Sequence, residues 1–210
     1  PYEMEIDGGI LRRENPISHA LKGFLIRGAT RYWSTGKTTD AFFRHFGVQQ
    51  EKIVRYPFSS VSERDIIAQQ PAPEQKRELR KTLGIPEGKM VLGVGQMIHR
   101  KGFDLLIRAA AQLPEDTGVY LVGGEPPKEW SALIAELGLN NVHSVPFKGA
   151  EKLKEYYQAA DVFVLPTRED VWGLVVNEAM ANALPVVTTT GCVAGCEMIA
   201  DGENGCLVPV

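Results

Sequence analysis

DVFVLPTREDVWGLVVNEAMANALPVV, residues 161–187, reads as a strand, a loop, a helix and a second strand. DVFVLP is a short apolar run, LVVNEAMANA is a helical segment that ends before Pro185, and PVVTT is another apolar run. Both runs are near-continuously hydrophobic, as strands covered on both faces of a parallel sheet are. Working outward, the same alternation recurs. MVLGVG, GVYLVG, NVHSV and GCLVP have the same strand character. FDLLIRAAAQL, KEWSALIAELG, AEKLKEYYQAA and AGCEMIADG are amphipathic and lie between them. Strand and helix in strict alternation specify a doubly wound α/β sheet over residues 88–210.

The first part of the chain alternates too, with fewer elements. ISHALKGFLIRGA and KTTDAFFRHFG read as helices, the second closed by Gly47, while TRYWSTG and KIVRYPF read as strands. These are too few to close a domain, so residues 1–58 are expected to be the tail of a first α/β domain. SSVSERDIIAQQPAPEQ, polar and with two prolines, opens a linker and connecting helix over 59–87. No closing helix follows LVPV, so the chain reads as a fragment, truncated at both ends.

With 44% hydrophobic and 23% charged residues among 210, the composition is that of an ordinary globular protein. No apolar run approaches the roughly 20 residues that span a bilayer, and PYEMEIDGG is unlike a signal peptide. The three cysteines, Cys192, Cys196 and Cys206, form no even framework, and CVAGC has no histidine nearby to complete a metal site. A reducing, cytoplasmic compartment is expected, with no metal. The net charge of −3 is uneven: from Arg12 to Arg55 nine Lys/Arg face three acids. That basic segment is either a solvated face or a surface for an anionic membrane or a phosphate-bearing substrate. Nothing resembles a nucleic-acid-binding pattern.

Two glycine motifs fail. STGKTT would be a P-loop only if its first glycine stood where Arg31 is, and the GxG of Gly93 and Gly95 lacks its third glycine at Ile98. The loop after Gly95, QMIHRKG, is more informative. Ligands of open α/β sheets bind at the carboxyl ends of strands, so the basic residues His99, Arg100 and Lys101 stand where an anion would be met, although a solvated loop fits as well.

In the quoted stretch, TRED lies at the carboxyl end of a strand, Trp172 and Gly173 make the turn, and a helix begins. The N–H groups of Gly173, Leu174 and Val175 would be unpaired donors at a helix N-terminus, a ready site for a diphosphate. Asp170 and Glu178, eight positions apart, offer oxygens to vicinal hydroxyls. A diphosphate between two hydroxylated rings describes a nucleotide sugar. The plainer alternative makes Asp170 a helix-start acid and Glu178 an exposed helix residue.

Residues 90–210 resemble the donor domain of retaining GT-B glycosyltransferases, glycosyltransferase family 4. That family's motif, E-x-F-G-x(4)-E-A-M-A-x-G-x-P-V-V, stands here as DVWGLVVNEAMANALPVV, and RKGFDLLIRA, YYQAADVFVLPT and EMIADGENGCLVP match further. Residues 17–57 are similar to the end of the family's acceptor domain. The resemblance implies that Lys101 contacts the donor diphosphate, with the backbone of Trp172, Gly173, Leu174 and Val175. It implies that Glu178 binds the ribose, that Asp170 binds the sugar near the reacting carbon, and that the loop around Val145, Phe147 and Lys148 reads the base. Asp170 and Glu178 are thus the implied catalytic pair, and Gly95, Gln96, Arg100 and Lys101 line the donor site.

Three departures stand out. Asp170 replaces the usual Glu, Gln96 replaces a frequent Arg that Arg100 could substitute, and Ala183 replaces a glycine. The implied activity is sugar transfer from a UDP- or GDP-linked donor, without a cofactor, to a glycan or lipid-linked acceptor of bacterial capsule, exopolysaccharide or lipopolysaccharide type. Turns such as EIDGG fit that group, and the basic segment suggests peripheral contact with a membrane. The fragment alone is expected to be inactive. A non-catalytic nucleotide-sugar-binding module and a nucleotide-dependent oxidoreductase are the alternatives.

Overall fold

The computed structural model describes residues 2–6, 10–56 and 58–210. The chain opens with an antiparallel pair, β1 (Tyr2–Ile6) and β2 (Ile10–Glu14), in which Tyr2 faces Glu14 and Ile6 faces Ile10. The sequence reading assigned no strands here; the turn it read at EIDGG falls at residues 7–9, outside the described residues. Helix α1 (Pro16–Arg27) follows, started by the Asn15 side chain, which accepts from the Ile17 N–H, and by a proline in the first turn. Then come β3 (Tyr32–Ser34), α2 (Lys37–His45) and β4 (Ile53–Arg55), with β3 and β4 parallel. A small core of Tyr32, Val48 and Ile53, with Ile26 and Phe43 against it, holds this unit together.

Residues 58–72 carry one short 3-10 turn before helix α3 (Pro73–Leu83). From there the predicted alternation is complete: β5 (Lys89–Val94), α4 (Phe103–Ala110), β6 (Thr117–Val122), α5 (Lys128–Glu136), β7 (Val142–Val145), α6 (Ala150–Ala159), β8 (Val162–Leu165), α7 (Leu174–Ala181), β9 (Val186–Thr189), α8 (Val193–Met198) and β10 (Gly205–Val208). The six strands form one sheet in the order β10-β9-β8-β5-β6-β7, every pair parallel. Leu92, Val119, Phe163 and Val186 are fully buried at its centre, with Phe103, Ile107 and Val176 packed from the helices. That is the doubly wound α/β fold expected from the hydrophobic runs.

Helix α3 is fastened to the amino end of the sheet by a buried charge network. Asp161 accepts from Lys76 Nζ (3.1 Å), Arg80 Nη2 (2.7 Å) and the Met90 N–H (2.8 Å). Lys76 and Arg80 also donate to the carbonyls of Ala160 and Ala159. Burial alone would raise the Asp161 pKa; the Met90 N–H and the two cations outweigh it, so the carboxyl titrates below its ordinary value. A folded pKa below the unfolded one, about 3.9, gives a stabilisation that is complete above that pH and is lost as pH falls through the folded pKa. Asp161→Asn is therefore expected to cost about 2 kcal/mol at neutral pH. The figure is modest because 38% of the Asp161 side chain is exposed and water screens it. The acid limb of a melting-temperature profile should flatten in this variant; an unchanged acid limb would contradict the assignment.

Candidate donor site

The strand order places a crevice between β5 and β8. From β5 the chain moves outward to β6 and β7, then returns to β8 and moves the other way to β9 and β10. The loops leaving the carboxyl ends of β5 and β8 therefore diverge, and ligands of such sheets bind where they part. Lys101 stands on the first loop and Asp170 on the second.

Those loops are tied together at their bases. A side chain at Gly102, whose φ is 71°, would collide with the Pro166 carbonyl oxygen. The Arg100 carbonyl accepts from the Arg168 N–H (2.8 Å) and from Thr167 Oγ1 (2.9 Å). Arg168 returns across the junction, its guanidinium making a two-pronged bond to Asp104 (2.8 and 2.7 Å) and donating to the His99 carbonyl (2.7 Å). This hydrogen-bonded cation holds the Asp104 carboxyl below its usual range. The sequence reading passed over both residues.

Asp170 is 8% exposed. Its Oδ2 accepts from the Lys101 ammonium, and its Oδ1 lies 3.5 Å from Arg100, which also donates to the Glu169 carbonyl (2.7 Å). The carboxylate read as a partner for hydroxyls and the guanidinium read as a substitute phosphate cation thus face each other at 3.5 Å, with Lys101 bonded to the same carboxylate. A carboxylate this deeply buried requires such partners.

Trp172 is buried, its indole N–H donating to Asn177 Oδ1 (2.7 Å) and its ring set edge-on to Phe58 at 5.6 Å. Gly173 has φ 97°, and an added Cβ would sit 2.6 Å from Cys192 Sγ, so the turn needs glycine for both reasons. Among the described residues none accepts from the N–H groups of Gly173, Leu174 or Val175, which open helix α7. The positive end of the helix dipole faces the crevice there.

One turn on, Glu178 accepts from Tyr157 Oη at Oε2 (2.9 Å) and from Ser60 Oγ at Oε1 (3.2 Å). It borders a cavity of about 350 Å³ whose wall includes Phe147, Lys148, Lys154 and Tyr157. Phe147, 80% exposed, stands at the rim. Val145 does not line this cavity. It is the last residue of β7, paired with Val122, packed against the core, and its carbonyl receives the Gly123 and Gly124 N–H groups. Gly95 donates to the Val122 carbonyl (3.0 Å), while Gln96 is exposed beside it. A larger hollow, about 980 Å³, lies beside α3 at the opposite end of the strands, where Lys76 and Arg80 are already committed to Asp161. Among the described residues no cluster of His, Cys, Asp and Glu could hold a metal ion, and no helix is long and apolar enough to cross a membrane.

Residues 75–210 match the family described as glycosyl transferases group 1. The chain is 31% identical over 213 residues to the lipopolysaccharide glucosyltransferase WaaG of Escherichia coli (strain K12), covering 89% of this chain and 56% of that protein. The crystal structure of WaaG, a glycosyltransferase involved in lipopolysaccharide biosynthesis, superposes with a TM-score of 0.69 at 29% identity, over 86% of this chain and 49% of that one. Anabaena HepE in complex with UDP-glucose gives 0.75 at 25% identity, over 92% and 54%. The fold is that of GT-B glycosyltransferases, and the chain spans about half the length of the curated relatives it matches.

Proposed function

We propose that this chain, which belongs to the glycosyl transferases group 1 family, binds the donor in a retaining GT-B glycosyltransferase of family 4. The observation that carries the reading is the convergence, at one strand crossover, of unpaired helix N–H groups, a partly buried lysine and a carboxylate eight residues beyond an acid. The N–H groups at 173–175 and Lys101 would hold the diphosphate, and Glu178 the ribose diol. In the transfer step positive charge develops at the anomeric carbon and negative charge on the departing diphosphate. The helix end and Lys101 would meet that negative charge, which is electrostatic catalysis by a prearranged site. Lys101 would then be shared between the phosphate and Asp170, leaving an Asp170 oxygen for a sugar hydroxyl.

A UDP-linked donor is supported by the HepE complex with UDP-glucose. A glycan or lipid-linked acceptor in surface polysaccharide synthesis is supported by the likeness to WaaG. Peripheral contact with an anionic membrane is supported by the basic first segment and by Ile17, Leu21, Phe24 and Leu25, exposed along α1. Calorimetric titration with UDP, GDP and ADP tests the donor reading. One of the first two is expected to bind at a single site, and at a hundredfold excess over its Kd to stabilise the fold by about 2.7 kcal/mol. A cooperatively folded chain that binds none of them would refute it.

A further inference from the structure

Tyr157 is 2% exposed, packs against Phe163 with ring centroids 5.8 Å apart, and turns its hydroxyl onto Glu178 Oε2 at 2.9 Å. Phenylalanine would pack as well at that position; the hydroxyl serves only the carboxylate. Burial, followed by the Glu178 charge and hydrogen bond, raises the Tyr157 pKa well above its ordinary value, so the group stays a proton donor. The second oxygen of Glu178 meets a different kind of partner. Ser60 lies on the exposed linker, 118 residues away in the chain, and its hydroxyl reaches Oε1 at 3.2 Å. A primary alcohol on a carboxylate oxygen at the wall of a cavity is the chemical likeness of a sugar hydroxyl in the same place.

Resting on the donor reading above, we propose that Tyr157 is a positioning residue: it fixes Glu178 through Oε2 so that Oε1 alone is offered to the ribose diol, which displaces the Ser60 hydroxyl. A glutamate free to rotate would have to be ordered when the nucleotide arrives; one already held by a buried donor is not. Tyr157 therefore acts on affinity through Glu178 and touches no ligand atom.

The experiment is titration of the wild-type chain and Tyr157→Phe with UDP and GDP and with their 2′,3′-dideoxy forms. For the nucleotide that binds, Tyr157→Phe should weaken the ribose form about tenfold and leave the dideoxy form unchanged. Adding Tyr157→Phe to Glu178→Gln should produce no further loss. Equal weakening of both forms, as a general packing defect would give, overturns the proposal, and so does no weakening of either. Ser60→Ala supplies a variant outside the core, expected to bind the ribose form as tightly as wild type or more tightly; weaker binding overturns the displacement. Failure of the wild-type chain to bind either nucleotide would instead overturn the donor reading itself.

Discussion

Lys101→Met is expected to lower affinity for the nucleoside diphosphate on the order of a hundredfold. A hydrogen-bonded cation facing phosphate in a partly buried site contributes about 2–3 kcal/mol, and methionine keeps the length of the stem while removing the charge. The variant also tests what holds Lys101 in place. In the structure its ammonium bonds the buried Asp170 carboxylate, which Arg100 approaches at 3.5 Å. Removing one of two cations leaves the carboxylate partly compensated, so the expected stability loss is about 1–2 kcal/mol, below the 3–5 kcal/mol of a fully orphaned buried charge. Adding Asp170→Asn should recover part of that stability and none of the affinity, which thermal melts and calorimetry on the same samples would separate. Unchanged affinity in Lys101→Met would remove this residue from the diphosphate site.

Gly102→Ala should damage fold and site together. The new methyl would meet the Pro166 carbonyl oxygen, and both sides of that collision are backbone, with no flexible side chain to move aside. Residue 102 also has φ 71°, a region that costs other residues about 1–2 kcal/mol. Together these predict a loss of about 3–5 kcal/mol and a fall in melting temperature of about 10 °C. Nucleotide binding should disappear as well, because the loops carrying Lys101 and Asp170 are forced apart. Gly138→Ala is the control: its φ is 63°, but no atom lies within 4 Å of the added carbon. It should show only the conformational cost of about 1 kcal/mol and bind normally. If the two variants melted alike, close approach of the loops would not be what residue 102 provides.

Much of this architecture is legible from local pattern. The apolar runs around Leu92, Val119, Phe163 and Val186 could only be strands covered on both faces, and their alternation with amphipathic segments fixed a parallel sheet. The turn at Trp172 and Gly173 was readable because an acid, a glycine and a helical run follow a strand directly. Partnerships across the chain were not readable. Arg168 with Asp104, Tyr157 with Glu178 and Ser60 with Glu178 are separated by 64, 21 and 118 residues, and no spacing announces them. The bond between Asp170 and Lys101 went unread for the same reason, since it arises only when β5 and β8 lie side by side. Val145 ends β7, as the run NVHSV already indicated, and its pairing with Val122 is a register the sequence does not carry. In the β1–β2 pair, Tyr2, Met4 and Ile6 alternate with Glu3 and Glu5, but Arg12, Arg13 and Glu14 break the pattern in the second strand, and the hairpin went unread.

A crystal structure of the chain with UDP would test the central claim most directly. The predicted result places the diphosphate against the N–H groups of 173–175 with Lys101 beside it, the ribose on Glu178, and the base toward Phe147. A nucleotide seated in the hollow beside α3, or on the surface away from the β5–β8 crossover, would contradict it.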